Sequence, residues 1–335
     1  MNKPLDLPAF LPPANLGEVL QLQGVVSELR SARETWRNAT NRKAERTARE
    51  LPSPEVMAEF MAGLRKALFP MRLGPAELLT SQEDAFVAST LERVLGLLLT
   101  QVQLTLSHQA HLAHTSTPAQ EQTQEAPDAV SVVRGFAQAL PHIRRLLDSD
   151  VMAAFHGDPA ARSVDEVLLA YPGILAMSHH RVAHQLYGQG MALLARLVSE
   201  QAHSATGIDI HPGAQIGPGF FIDHGMGVVI GETAIIGRNV RVYQAVTLGA
   251  KRFASDEHGH LVKGGARHPI LEDDVVIYAG ATILGRVTIG RGASIGGNVW
   301  LTRSVPPGSH IAQAQASDCG PDAGLATNQT HAPKD

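Results

Sequence analysis

A six-residue hydrophobic period between Ile208 and Gly308 constrains the fold of this chain more than any other feature. One apolar series runs through Ile210, Ile216, Ile222, Val228, Ala234, Val240 and Val246, and resumes with Val275, Ala281, Val287, Ala293, Val299 and Val305. A second series, two residues later, runs through Ile230, Ile236, Val242 and Leu248, then Ile277, Ile283, Ile289, Ile295 and Leu301. A period of six matches neither a helix nor an alternating strand. It predicts a parallel β-helix built from three short strands per coil, and the alternative is a β-sandwich whose short strands fall into step by chance.

The period is interrupted once. Val246 and Val275 are 29 residues apart, which is not a multiple of six. The intervening AKRFASDEHGHLVKGGA is charged and glycine-rich, so it does not continue a buried series. We therefore expect an excursion loop over residues 250–266, and long loops that leave a regular scaffold are where binding residues concentrate.

The residues before the repeats have helical patterns, which makes the predicted fold class α+β, a helical region followed by a β-helix. The expected organisation is an N-terminal helical extension (1–113), a flexible linker (114–128), a helical domain that packs on the β-helix (129–204), the β-helix (205–308) and a C-terminal tail (309–335). Within the helical domain we expect helices over 129–148, 149–156, 163–171 and 174–203. On the last of these, His180 and His184 have the spacing of a metal pair, but no third ligand accompanies them, so we interpret them as surface or packing residues.

Composition limits the classes of partner. The net charge is −4 and the isoelectric point about 6.5, which gives no reason to expect nucleic acid or an anionic membrane. A single cysteine, Cys319, excludes an internal disulfide and favours a reducing cytoplasm. The opening MNKPLDLPAFLPP has prolines where a signal peptide needs an apolar core, and no apolar run approaches ~18 residues. We expect a soluble, cytoplasmic protein.

Only a few positions in the repeats carry groups that move protons or bind charge. They form three pairs: Asp209 with His211, Asp223 with His224, and Arg267 with His268. With ~18 residues per coil, Asp209 and His224 lie on successive coils near one edge. A histidine oriented by a carboxylate is a general base. Arg267 offers a planar fork for a carboxylate and Asp223 a partner for an ammonium, so the set is suited to an amino acid.

The segment GIDIHPGAQIGPGFFIDHGMGVVIGETAIIGRNVRVYQAVTLGA, with GGARHP and NVWLTRSVPPGS after it, resembles the serine O-acetyltransferases of the hexapeptide-repeat acyltransferase superfamily. The resemblance covers residues 145–310 and includes the helical GDPAARSVDEVLLAYPGILAMSHHRVAHQLY. It implies a left-handed β-helix and direct acetyl transfer from acetyl-CoA to L-serine, the first step of cysteine biosynthesis. The implied roles are general base for His224, its orienting partner for Asp209, ammonium binding for Asp158 and Asp223, and carboxylate binding for Arg267 with His268.

The resemblance also implies a coenzyme site and an assembly. The pantetheine arm would lie between neighbouring subunits, near Ala250, Ala279, Gly280 and Gly297, and no metal is expected. Shared sites imply a homotrimer, and helical-domain contacts can pair two trimers. The chain ends in HAPKD rather than in isoleucine, so a complex with O-acetylserine sulfhydrylase is not expected.

Three other functions fit parts of the pattern. An acyltransferase of the same scaffold that acts on a sugar needs no pair of arginine and aspartate matched to a zwitterion. A γ-class carbonic anhydrase is also a trimeric β-helix, and His211, His224 and His268 are its candidate zinc ligands. A non-catalytic scaffold leaves these side chains without a role.

Overall fold

The structure, a computed structural model, describes residues 18, 20–40, 51–116, 128–252, 261–262 and 264–313. The chain divides into two compact units, residues 1–49 and 50–335. In the first unit, helix α1 spans Leu22–Ala39 and has no buried residue. The part of the tail that carries Cys319 and the terminal HAPKD lies outside the described residues.

The second unit begins with helices that share one hydrophobic core. They are α2 (Pro54–Leu68), α3 (Pro70–Leu73), a 3₁₀ turn (Thr80–Gln82), α4 (Glu83–Ser116), α5 (Ala129–Gly157), α6 (Val164–Ala170), α7 (Pro172–Gly188) and α8 (Ala192–Thr206). Side-chain caps fix the N-termini of α2, α5 and α6, because Ser53, Asp128 and Ser163 each accept a hydrogen bond from the backbone N–H three residues later. Helix α4 continues to Ser116, and of the predicted linker, residues 117–127 lie outside the described part.

Two helix predictions were wrong. The single helix expected over 174–203 is two helices, because Gly190 adopts a φ of 80° between α7 and α8. The two helices expected over 129–156 are one. The helix continues through the expected break between residues 148 and 149, where Asp148 binds Arg144 and the Ser149 hydroxyl donates to the Leu146 carbonyl.

Helix α4 is long and apolar over Thr80–Ala110, enough to satisfy the length and composition of a membrane span. Its Val94, Leu98 and Val102 are fully buried and belong to the hydrophobic core of the helical layer. Core helices of soluble proteins satisfy the same criterion, and α4 packs against α2 and α5, although only 22% of its apolar window is buried.

The β-helix follows α8 directly. Its strands are β1 (Asp209–Ile210), β2 (Gln215–Ile216), β3 (Phe221–Ile222), β4 (Val229–Ile230), β5 (Ile235–Ile236), β6 (Arg241–Val242), β7 (Thr247–Gly249), β8 (Ile270–Leu271), β9 (Val276–Ile277), β10 (Thr282–Leu284), β11 (Thr288–Ile289), β12 (Ser294–Ile295), β13 (Trp300–Leu301) and β14 (His310–Ile311). All pairings are parallel. The first sheet has the order β1-β4-β7-β10-β13, the second β11-β8-β5-β2 and the third β14-β12-β9-β6-β3. Three sheets visited in turn form a left-handed β-helix, which confirms the predicted fold class.

The register of the first coil differs from the predicted series. Ile210 pairs with Ile230, a step of 20 residues, whereas Val229 pairs with Thr247, a step of 18. The predicted apolar series was therefore wrong where it continued from Ile222 to Val228, because the turn formed by residues 223–228 is two residues longer than the repeat needs. This turn includes Gly225 and Gly227, both with positive φ. The extra length lies at the turn that carries Asp223 and His224.

The excursion loop leaves after β7 and returns at β8, between Gly249 and Ile270. Residues 253–260 and 263 of this loop lie outside the described part. The strands on either side keep their register, with Thr247 paired to Thr282 across the interruption. The loop therefore adds residues at one edge without disturbing the stack.

A buried ion pair joins the helical layer to the first coil. The carboxylate of Asp150 on α5 accepts from Nε and Nη2 of Arg181 on α7, at 3.1 and 2.9 Å, and both side chains are almost fully buried. Asp150 also accepts from the Phe220 N–H at 2.9 Å, while Arg181 donates to the carbonyls of Ile216 and Gly217. Burial raises the pKa of Asp150, and Arg181 opposes the rise. We call this the Asp150–Arg181 clamp.

Candidate active site

The edge between the third and first sheets, the His224 edge, carries a histidine in an uncommon conformation. His224 has a φ of 59°, and its imidazole is 69% exposed with Nδ1 3.7 Å from Oδ1 of Asp223. The same turn is hydrogen-bonded to the segment below it, because the Asp209 N–H donates to the Val228 carbonyl at 2.9 Å. Asp209 therefore lies on the same edge as His224, in the preceding coil of the β-helix.

Helix α5 brings a further carboxylate to this edge. Asp158, the C-cap residue of α5, accepts from the Tyr171 hydroxyl at 2.5 Å and from the Ala160 N–H at 2.8 Å. The Tyr171 hydrogen bond, with smaller contributions that include the charges of His224 and Arg241, lowers the pKa of Asp158. The same bond raises the pKa of Tyr171 to about 12. Asp158 is thus held as an anion near His224.

The edge between the first and second sheets, the Arg267 edge, carries a cationic group. Nη2 of Arg267 donates to Glu232 at 2.7 Å, and the Tyr187 hydroxyl donates to the other oxygen of Glu232 at 2.9 Å. These two hydrogen bonds, with Arg267 the stronger influence, lower the pKa of Glu232. The Arg267 backbone N–H donates to the Thr233 hydroxyl at 2.9 Å. One side of the Arg267 guanidinium is thereby fixed, and the remaining N–H groups of the guanidinium are donors for a ligand.

Both histidines at the Arg267 edge are held neutral. His268 is 7% exposed, and its Nδ1 accepts from the Thr233 N–H at 3.0 Å, which leaves the proton on Nε2. Burial, followed by the charge of Arg267, lowers the pKa of His268 to about 4. Burial, followed by the charge of Arg196, also lowers the pKa of His211. His268 is therefore a hydrogen-bond donor at neutral pH and not a cation.

The predicted site residues fall into two groups on one chain. Asp158, Asp209, Asp223 and His224 lie on one edge, and Arg267 and His268 lie on the next. Within the part of the chain that the structure describes, no hydrogen bond or ion pair joins the two groups. The two edges flank the first sheet, so a single chain presents an acidic half-site and a basic half-site.

Four side chains that hold these half-sites were not predicted. They are Tyr171, Tyr187, Glu232 and Thr233. The sequence GETA, which contains Glu232 and Thr233, was a recognisable signal without an assigned role. The two tyrosines had no local signal, because each acts on a residue that tertiary structure brings to it.

The residues expected near coenzyme A lie on the same two edges. Gly280, with a φ of 71°, and Ala279 follow β9 at the His224 edge, and the Asn298 N–H donates to the Ala279 carbonyl at 2.8 Å. A Cβ on Gly297 would lie 3.2 Å from that carbonyl, so a side chain there would crowd the backbone. Ala250 follows β7 at the Arg267 edge. Because these residues are small, the backbone beside each half-site is accessible to a thin ligand chain.

The histidines proposed as zinc ligands do not form a cluster within one chain. His211 and His268 are at the Arg267 edge and His224 is at the other, and among the described residues no group of three or more His, Cys, Asp or Glu side chains is placed to hold a metal. His180 and His184 pack with ring centroids 5.7 Å apart. Burial lowers the pKa of His180 well below its usual range, which fits the packing interpretation.

Comparisons with known proteins decide the family. Residues 268–303 match the model of the bacterial transferase hexapeptide (six repeats) family. A plasmid-encoded serine acetyltransferase of Synechococcus elongatus is 58% identical over 267 residues, which are 79% of this chain and 82% of that protein. The chain belongs to the serine acetyltransferase family. The family predicted from the sequence is confirmed.

Other members of the serine acetyltransferase family agree in sequence and structure. The Bacillus subtilis serine acetyltransferase is 48% identical over 167 residues, 50% of this chain and 73% of that protein. The crystal structure of Entamoeba histolytica serine acetyltransferase 1 in complex with L-cysteine is similar with a TM-score of 0.65 and 37% identity, over 78% of this chain and 87% of that one. The similarity therefore includes the helical layer as well as the repeats.

Proposed function

We propose that this chain transfers the acetyl group of acetyl-CoA to the hydroxyl of L-serine by direct attack in a ternary complex. Membership of the serine acetyltransferase family is the observation that carries the activity. The two half-sites support the choice of acceptor, because an acidic group and a guanidinium on neighbouring edges match the ammonium and the carboxylate of an amino acid. A sugar acceptor would use neither charge.

The proposed residue roles are those that the family resemblance implies, and charge and position support them. His224 accepts the proton of the serine hydroxyl as its oxygen attacks the thioester carbonyl carbon; the carbon–sulfur bond then breaks and the CoA thiolate leaves and is protonated. Asp209, one layer below, orients the imidazole. Asp158 and Asp223 bind the ammonium. Arg267 binds the carboxylate, with His268 donating from Nε2. Ala250, Ala279, Gly280 and Gly297 border the pantetheine arm.

The two-edge arrangement supports a homotrimer. In a trimer with threefold symmetry, the His224 edge of one β-helix lies against the Arg267 edge of the next, so that each complete site draws on two chains. Exposed apolar side chains on this part of the surface support coverage by a partner: Met226 is 67% exposed and Trp300 70%. Pairing of two trimers through helical layers and a cytoplasmic location are part of the same proposal.

The ligand of one relative supports an amino-acid site. Entamoeba histolytica serine acetyltransferase 1 was crystallised with L-cysteine. Cysteine differs from serine only in the side-chain chalcogen, so the same ammonium and carboxylate contacts accept both. We extend this to the present chain: L-cysteine occupies the serine site and competes with L-serine.

Release of free CoA from acetyl-CoA tests the proposal. L-Serine should support turnover, and D-serine, L-threonine and galactosides should support little. His224→Ala should lower kcat by about a hundredfold or more, because a positioned base contributes ~10²–10⁴ in rate. His203→Ala, an exposed histidine on α8, is the matched control and should leave kcat unchanged. Full turnover by His224→Ala would remove this residue from the mechanism, and equal turnover with galactosides would move the chain to the sugar acyltransferases.

A further inference from the structure

A cavity of about 740 Å³ lies between α2, α7 and α8, away from both half-sites. Most of its wall is apolar and consists of Pro54, Ala58, Met61, Ala62, Leu175 and Leu197. Its volume lies within the ~300–1,000 Å³ of small-molecule sites. The cavity is therefore large enough for an organic ligand with a substantial apolar body.

One cationic side chain, Arg65, borders this cavity. Its Nε is buried and has no hydrogen-bond acceptor among the residues that the structure describes. Its guanidinium meets no carboxylate among the described residues, and burial lowers the pKa of Arg65. A charged group removed from water without a partner is unfavourable, and such groups normally have a counter-ion. The cavity thus contains one buried donor, Nε of Arg65, that nothing in the described chain satisfies.

A second cavity, of about 520 Å³, provides the contrast. It is bordered by Arg72 and Arg144, and each is already paired: Arg72 with Asp165 at 2.5 Å and Arg144 with Asp148 at 2.8 Å. Both arginines beside the second cavity therefore have carboxylate partners. Arg65, beside the more apolar of the two cavities, has none among the described residues.

The other titratable groups around Arg65 do not neutralise it. His179 is 8% exposed, and its Nδ1–H donates to the Leu175 carbonyl at 2.9 Å. Burial is the main reason that the pKa of His179 is lowered, and the charge of Arg65 adds to this. Glu200, at the rim, is paired with Arg196 at 2.6 Å. Among the described residues, the half-buried guanidinium of Arg65 therefore remains without a counter-ion beside a mostly apolar wall.

We propose that this cavity binds a small organic anion that has one carboxylate and an apolar body. The carboxylate accepts from the Arg65 guanidinium, which can donate two parallel N–H bonds. The apolar body lies against Met61, Leu175 and Leu197. The site is independent of acetyl transfer, so its presence or absence leaves the proposed activity untouched.

Calorimetric titration of the full-length chain with decanoate tests the proposal, with decanol, decylammonium and inorganic phosphate as parallel probes. Decanoate should bind in preference to all three. Arg65→Met should weaken decanoate binding by about tenfold or more, because a charge-assisted hydrogen bond is lost while the side-chain volume is kept. Arg72→Met, which removes a guanidinium already paired in the second cavity, is the matched control and should bind decanoate like the unmodified chain.

Two further measurements make the outcome decisive. Ala62→Phe fills the cavity without altering Arg65 and should abolish decanoate binding, while circular dichroism and the rate of acetyl transfer verify that each variant is folded. No decanoate binding by the unmodified chain, or equal binding by Arg65→Met, overturns the proposal. Phosphate binding as tight as that of decanoate would also overturn it, because the apolar walls would then contribute nothing.

Discussion

Removing one partner of the Asp150–Arg181 clamp should destabilise the chain severely. In Asp150→Ala, the guanidinium of Arg181 keeps its buried position but loses both contacts to the carboxylate, at 3.1 and 2.9 Å. The Phe220 N–H loses its acceptor as well. Because Arg181 is only 4% exposed, water does not replace the missing carboxylate.

The size of the effect follows from burial. Breaking a buried ion pair by deleting one partner costs ~3–5 kcal/mol, since an uncompensated charge is left behind. The exposed pair of Arg144 and Asp148 lies on the same helix, and its side chains are 41% and 48% exposed. A pair with that exposure contributes ~0.3–0.5 kcal/mol. The two aspartates are two residues apart on α5, so the comparison isolates burial from helix position.

Denaturant unfolding at fixed protein concentration measures both free energies. We expect a loss of roughly 3–5 kcal/mol for Asp150→Ala and less than about 0.5 kcal/mol for Asp148→Ala. Replacing both clamp residues, as in Asp150→Leu with Arg181→Met, should restore part of the loss, because no buried charge remains unpaired. A loss below about 1 kcal/mol for Asp150→Ala would refute the argument that the clamp is buried and charged.

Three predictions concern the half-sites. Arg267→Ala should raise the KM for serine with a smaller change in kcat, because Arg267 binds a group that does not react. At low serine, an equal mixture of His224→Ala and Arg267→Ala chains should regain about a quarter of the activity, since each mixed trimer restores one of its three sites. Absence of recovery would place the whole site within one chain. Tyr171→Phe removes the hydrogen bond that lowers the pKa of Asp158, so the pKa of Asp158 should rise. Because serine binding needs this carboxylate ionised, the variant should lose serine binding at a higher pH than the unmodified chain when the solution is acidified. An unshifted acid limb of kcat/KM would dissociate Asp158 from serine binding.

The β-helix was predictable because its rule is local and repeated. Each strand buries one aliphatic side chain and each corner follows at a fixed spacing, so the pattern is visible without knowing which strands pair. The prediction failed where the spacing changed, between Ile222 and Ile230. A two-residue insertion preserves the alternation of apolar positions, and the two apolar series are themselves two residues apart, so the shift is hidden in the sequence. Pairing of the strands reveals it.

The helical layer was less predictable for a related reason. The sequence pattern suggested two helices over 129–156 and one over 174–203, whereas the chain stays helical through Asp148 and turns at Gly190. Asp150 drew no attention in the sequence, and its partner Arg181 is 31 residues away. Sequence spacing does not report a pairing of that kind.

The sequence by itself determined the repeat, the residue types of the site and the family, since each of these is recorded in short motifs such as IDHG, GETA and RHP. Only the tertiary structure decided where those motifs lie relative to one another. It placed Asp158 and His224 on one edge and Arg267 on the next, and it gave Nε of Arg65 no acceptor among the described residues. The physical reason is that burial and charge pairing depend on contacts between residues far apart in the chain, and no local pattern encodes which of those contacts form.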